Sequence, residues 1–162
     1  MNLENELAVA VVGNFKYLRK YFLKFLKSLR SNGKYKGPLI IITGMFTPFF
    51  LLRPFFNDQN IKIIRFKKIR FKKSTEKKLN QITIEDRPNR NKTKKFQWHK
   101  INLFSETLKK WKYIFYIDIN MNIHYDINNI LDLKPTNKLY ARADSYPEYD
   151  KELRNQFFQE SD

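Results

Sequence analysis

The chain has 162 residues, 42% of them hydrophobic and 16% aromatic, enough to bury a core in a single domain over 1–162 and too apolar for intrinsic disorder. Four Gly and six Pro exclude collagen-like and low-complexity chains, and the absence of Cys excludes disulfides, zinc-thiolate sites and thiol nucleophiles. The formal charge is +16, and 15 Lys and Arg against three acids lie between Ile61 and Lys100.

Taken in chain order, Leu7 to Val12 is a continuous apolar run bounded by Gly13 and Asn14, the pattern of a strand buried on both faces. Asn14 is a good N-cap. From it, Phe15, Leu18, Phe22, Phe25, Leu26 and Leu29 recur at helical spacing, and Ser31-Asn32-Gly33 is expected to end the helix. Pro38 to Thr43 predicts a second buried strand, Thr47-Pro48 the start of a short helix, and Asn60 to Phe66 a third strand. Lys67 to Thr93 is polar and basic and reads as a long loop or excursion. A second helix is expected from about Thr93 to Lys110, on the spacing of Trp98, Ile101, Phe104 or Ser105, and Leu108. Tyr113 to Ile117 predicts another buried strand, stopping at Asp118-Ile119-Asn120, after which Asp126 can cap a short helix from Ile127 to Leu131. Lys138 to Ala141 and Tyr149 to Phe158 predict a last strand and a closing helix.

Strands alternating with helices imply an α/β fold with a largely parallel sheet made of right-handed crossovers. In such sheets ligands collect outside the carboxyl ends of the strands. Gly13-Asn14 and Asp118-Ile119-Asn120 each follow a strand directly, so both polar turns are expected on one rim.

Other classes are narrowed by what is missing or misplaced. The four glycines stand at 13, 33, 37 and 44, which excludes a P-loop and a dinucleotide fingerprint. Neither His99 nor His124 stands near a serine in a nucleophile-elbow context, and His99, on a helix beside Trp98, reads as a surface or packing residue. Gly37 to Leu52, the longest uncharged apolar stretch, is too short and too broken by Pro, Thr and Gly to span a bilayer. Acids in Met1 to Glu6 stand where a basic leader would be, so the expected location is cytoplasmic.

The basic segment, with Arg65, Lys67, Lys68, Arg70, Lys72, Lys73, Lys77 and Lys78, has two readings. One is an anion-binding surface for nucleic acid or acidic membrane. The other is a solvated face rich in Lys, Asn and Ile, as an AT-rich genome would encode. Its Phe and Lys pattern matches no sequence-readable DNA or RNA motif, which puts nucleic acid last among the partners considered.

The most informative stretch runs from Trp111 to Asn120. A carboxylate and a carboxamide two apart, Asp118 and Asn120, can bind a hard cation or a ribose hydroxyl, and they can equally be a turn pair where a strand stops. Tyr116-Ile-Asp-Ile-Asn-Met121 followed by Asp126-Ile resembles the Tyr-Leu-Asp-x-Asp pattern of GT-A fold glycosyltransferases, especially family 8 and the glycogenin-like enzymes. Val9 to Leu29 is similar to that family's nucleotide-binding first strand and helix, Phe96 to Phe104 to its helix carrying a phosphate-reaching Lys, and Tyr140-Ala-Arg-Ala-Asp144 to a later strand.

The resemblance implies a GT-A fold, a Rossmann-like sheet flanked by helices, with the family's C-terminal part absent. It implies a UDP-sugar donor and a glycan, protein or lipid acceptor bearing a hydroxyl. Val12, Gly13, Asn14 and Tyr17 would line the nucleotide, Lys100 would neutralise phosphate, Asp118 would contact ribose and metal, and Asp144 would meet the donor sugar as the catalytic candidate. Mn²⁺ or Mg²⁺ would be held by Asp118 and, weakly, by Asn120, which stands where the family has a second Asp. On this resemblance either the chain is a shortened relative, incomplete or weakly active, or a second polypeptide or a second copy of the chain completes the site. The alternatives are a GT-A pseudoenzyme that binds without turnover and a basic nucleic-acid-binding module.

Overall fold

A computed structural model of the chain describes residues 6–48, 58–81 and 96–133. The chain divides into two compact units, Met1–Asn128 and Asn129–Asp162. The first carries everything that follows. In the second, only the end of a helical turn is described. The strand expected at Lys138 to Ala141, the helix expected at Tyr149 to Phe158, and Asp144 all lie outside the described residues.

Four strands form one parallel sheet: β1 (Leu7–Val12), β2 (Leu39–Gly44), β3 (Ile61–Phe66) and β4 (Tyr113–Tyr116), in the order β3-β2-β1-β4. Leu7 pairs with Tyr113, Val9 with Leu39, and Leu39 with Ile61. β1 and β2 are central and buried along their lengths up to the last residue of β2, which is why both read as unbroken apolar runs. β3 and β4 lie at the edges and are only partly buried. For β4 this corrects the expectation of a fully buried strand: each of its four residues is half-buried, because no described strand covers its outer edge.

Side chains alternate across the sheet. Ala8, Ala10, Val12, Ile40 and Ile42 form one cluster with Leu108 and Trp111, and Ile64, Phe66, Phe96, Leu103, Ile114 and Tyr116 pack against it. Leu7, Val9, Val11, Leu39 and Ile41 point the other way and are equally buried. α1 (Phe15–Ser31), which leads from β1 towards β2, buries Leu18, Phe22, Phe25 and Leu29 at the spacing the sequence predicts. Burying one such side chain contributes on the order of 1.5–3 kcal/mol.

The end of α1 is tied to the segment that follows β4. The buried Ser28 hydroxyl donates to the Phe25 carbonyl (2.9 Å) and accepts from the Ile123 amide (3.2 Å), while the Asn32 side chain donates to the Ile123 carbonyl (2.9 Å). Ile127 N–H donates to the Gly33 carbonyl at 3.0 Å, and Ile119, Ile123 and Ile127 are buried. Gly33 is not the left-handed residue of the helix end; Lys34 is, with φ 49°. Glycine is required at 33 by proximity instead, since a Cβ there would stand 2.6 Å from the Leu29 carbonyl oxygen and 3.0 Å from the Ile123 side chain.

Three other elements differ from expectation. A helix, α2 (Lys73–Gln81), forms inside the segment expected to be a loop, where Lys and Glu, good helix formers, are not interrupted by Gly or Pro. Of the helix expected from Thr93 to Lys110, Phe96 and Gln97 are α-helical, and from Trp98 the chain tightens into 3₁₀ helices Trp98–Phe104 and Glu106–Leu108, broken at Ser105, whose backbone is extended. Ile127–Leu133 is a 3₁₀ helix as well, with Asp126 accepting from the Asn128 amide at 2.9 Å as its sequence position suggests. At Thr47 the amide closes a turn onto the Gly44 carbonyl, and the Thr47 and Thr43 hydroxyls hydrogen-bond at 2.8 Å; a helix beyond Pro48 falls outside the described residues. No helix among the described residues is long and apolar enough to cross a membrane.

Candidate functional site at the carboxyl edge of the sheet

Strand order places β2 and β3 on one side of β1 and β4 on the other, so the connections leaving β1 and β4 diverge. A crevice opens where the order reverses, and this is where open parallel sheets bind ligands. The cleft found there is lined from three directions. Val12, Gly13, Asn14 and Tyr17 come from the end of β1 and the start of α1; Asp118, Ile119 and Asn120 follow β4; Phe96, Gln97 and Lys100 come from the segment preceding β4.

Each wall has a local cause. Gly13 N–H donates to the Ile42 carbonyl at 3.1 Å, and a Cβ at 13 would sit 3.2 Å from Leu18 Cγ, so glycine lets the turn hug the first turn of α1. Asn14 caps α1 by accepting from the Tyr17 amide at 3.0 Å. The first turn of α1 has no acidic residue, and its N-terminal end presents the positive side of the helix dipole. Ile117 N–H holds the chain to the Ala10 carbonyl at 3.0 Å, after which the Met121 amide closes a turn on the Asp118 carbonyl.

Asp118 is the hub of the polar groups. Its Oδ1 accepts from Lys100 Nζ at 3.1 Å and from the hydroxyl of Tyr116, two residues earlier. Lys100 Nζ also stands 4.9 Å from the centre of the Tyr116 ring. Burial, reinforced by the hydrogen bond to Asp118 and by its charge, pushes the Tyr116 hydroxyl well above its ordinary pKa, so it remains a donor. The side chains of Lys100 and Asp118 are 39% and 44% exposed, and an ion pair this open contributes less than about 1 kcal/mol to stability.

The structure thus brings together Val12, Gly13, Asn14, Tyr17, Lys100, Asp118 and Asn120, seven residues spread over the first 120 of the chain. Asp144 lies outside the described residues. Three lining residues were not singled out from sequence: Phe96, Gln97 and Ile119. Gln97 and Lys100 are three apart, and in a 3₁₀ helix residues three apart stack in line, a signal hidden by reading this segment with a 3.6-residue period. Ile119 is buried beneath the turn, its Cδ1 3.6 Å from where a Gly13 Cβ would be.

His99 is a packing residue. It is 4% exposed, its ring centre lies 4.6 Å from that of Phe96, and its Nδ1 is 3.2 Å from the Asn102 amide nitrogen. Burial lowers its pKa below the ordinary value.

The donors around Asp118 are a poor match to Mn²⁺ or Mg²⁺. Hard cations of this kind are held by carboxylates and other oxygens in near-octahedral sets. Here one carboxylate oxygen already accepts from Lys100 and Tyr116, and the other candidate ligand, Asn120, is a neutral amide. Among the described residues no group of three His, Asp or Glu side chains could hold a metal ion.

Neither a protein-family model nor a curated protein sequence matches the chain. Its functional reading therefore rests on the cleft: a cation, a helix N-terminus and a carboxylate gathered at the reversal point of a parallel sheet.

Proposed function

We propose that the cleft binds a nucleoside-diphosphate sugar, with UDP-sugars the leading class, and that the protein is a GT-A type glycosyltransferase passing the sugar to a hydroxyl of a glycan, protein or lipid. The observation that carries this reading is the meeting of Asn14, Lys100 and Asp118 in one crevice, in the three roles that the sequence resemblance assigns to nucleotide, phosphate and ribose. In this reading the base and ribose would lie against Tyr17, Phe96 and the turn at Gly13, which line the cleft. The diphosphate faces Lys100 and the N-terminal end of α1, the two positive features of the site.

Sugar transfer is limited by departure of the diphosphate, whose developing negative charge needs a fixed positive partner. Lys100 is that partner in the described cleft. Asp118 orients the ammonium and offers its second oxygen to a ribose hydroxyl. Asp144 is assigned to the donor sugar on the resemblance alone. A pseudoenzyme would share all of these binding features and is recognised by binding without product.

Calorimetric titration with UDP and UDP-glucose tests the reading. Binding to the unaltered protein is expected, with Asp118→Ala weakening it at least about tenfold, equivalent to about 1.4 kcal/mol. Unchanged affinity in that variant would remove Asp118, and with it the assignment. Release of free sugar or transfer to an added acceptor then separates an enzyme from a binder.

A further inference from the structure

The Lys100–Asp118 pair sits where the resemblance places a divalent cation, and this disagreement carries a consequence for the cofactor. Resting on the nucleotide-sugar reading above, we infer that Lys100 is the resident cation of this site: the nucleoside diphosphate is bound through the Lys100 ammonium and without a divalent metal ion.

The argument begins with the geometry of Asp118. A carboxylate that ligates a metal must turn an unshared lone pair towards it, yet Oδ1 accepts from both Lys100 Nζ, 3.1 Å away, and the Tyr116 hydroxyl. A dication entering beside Oδ1 would also meet the ammonium at close range, a like-charge contact with nothing between them. Asn120, exposed at the rim, contributes only an amide oxygen, and no third acid or histidine among the described residues joins them.

The same geometry equips Lys100 for the metal's role. An ammonium has three N–H donors, of which Asp118 takes one, leaving two for phosphate oxygens. Tyr116 fixes the carboxylate from below and places its ring 4.9 Å from Nζ, so the cation is held over an aromatic face while remaining part-exposed to the cleft. Gln97, one 3₁₀ turn before Lys100, lines the same wall and can donate to the same anion. Unlike a bound ion, this cation is covalently tethered, so the site is complete at any metal concentration.

The test is titration of the full chain with uridine diphosphate in EDTA and again with millimolar Mn²⁺. Affinity is expected to change by less than about threefold between the two conditions, and Lys100→Ala to lose at least about tenfold in EDTA, with Lys100→Arg restoring part of it. Asn120→Asp supplies a second carboxylate and is expected to introduce a Mn²⁺ dependence that the unaltered protein lacks. Electron paramagnetic resonance of Mn²⁺ without nucleotide gives a readout independent of affinity: the free-ion signal should persist with the unaltered protein. Loss of that signal, or a tightening of more than about tenfold on adding Mn²⁺ to the unaltered protein, overturns the inference. Absence of nucleotide binding in both buffers overturns the nucleotide-sugar reading itself, and the inference falls with it.

Discussion

Two connections flank the sheet, and they are built on different rules. α1 buries an unbroken stripe of Leu18, Phe22, Phe25 and Leu29 and turns its lysines to solvent. The segment before β4 is mixed: it buries Leu108 and Trp111, but it also buries a histidine, His99, and leaves Ile101 and Phe104 53% and 71% exposed. The difference lies in the period. A 3₁₀ turn repeats every three residues, which lines up His99 with Asn102 along one row and the capping Gln97 with Lys100 along the next. The first connection spends its side chains on the core, whereas the second leaves the apolar Trp98, Ile101 and Phe104 partly outside in the stretch that presents a cation to the cleft.

That contrast can be broken most directly in α1. Phe25 is 1% exposed, and Phe25→Ala is expected to cost about 3–5 kcal/mol, read as a lower urea midpoint. Gly33→Ala, which forces a Cβ against the Leu29 carbonyl at the end of the same helix, is expected to cost about 1–3 kcal/mol in the same assay. A midpoint unchanged in either variant would mean that α1 is not the rigid member of the pair.

The second connection should respond more weakly and to different variables. Because burial lowers the His99 pKa, the neutral ring is favoured in the folded state and the unfolded chain binds the proton first as the pH falls. The His99 contribution is therefore fully present above the ordinary histidine pKa of about 6.5 and is lost as the pH drops through the lower folded value. Thermal midpoints measured from neutral to mildly acidic pH should fall in the unaltered protein and fall less in His99→Gln. The smallest effect is expected at Phe104, where Phe104→Ser should move stability by no more than about 0.5 kcal/mol, since its ring is already in water. A large loss there would show that the exposed face has a partner.

How much of this could be read from the sequence follows from the same contrast. β1, β2 and α1 were legible because each repeats one environment along its length: continuous burial for the strands, a 3.6-residue stripe for the helix. The rim was legible because Asn14 and Asp118 stand directly after strands, and topology does the rest. The 3₁₀ segment was not, since Trp98, Ile101, Phe104 and Leu108 imitate a helical stripe while the structure buries only Leu108 among them. Nothing local distinguishes an apolar residue placed for packing from one left outside when a neighbouring lysine must face inward. The half-burial of β4 was hidden for a related reason, because the position of a strand in the sheet is set by pairing order and not by its own residues.

The pairing order also sets a timetable. β1 reaches β2 across α1 alone, but Leu7 meets Tyr113 only after the chain has passed through β2, β3 and α2. Closing the longer loop costs about 1 kcal/mol more in chain entropy, and nothing local offsets it. On loop length alone, pairing of β1 with β2 is expected to precede pairing of β1 with β4, so Asn14 would be in position before Asp118 and the cleft would take its shape with the docking of β4. A nascent chain still short of Tyr113 can hold half of the crevice but cannot form the paired site, which defers ligand capture until the sheet has closed.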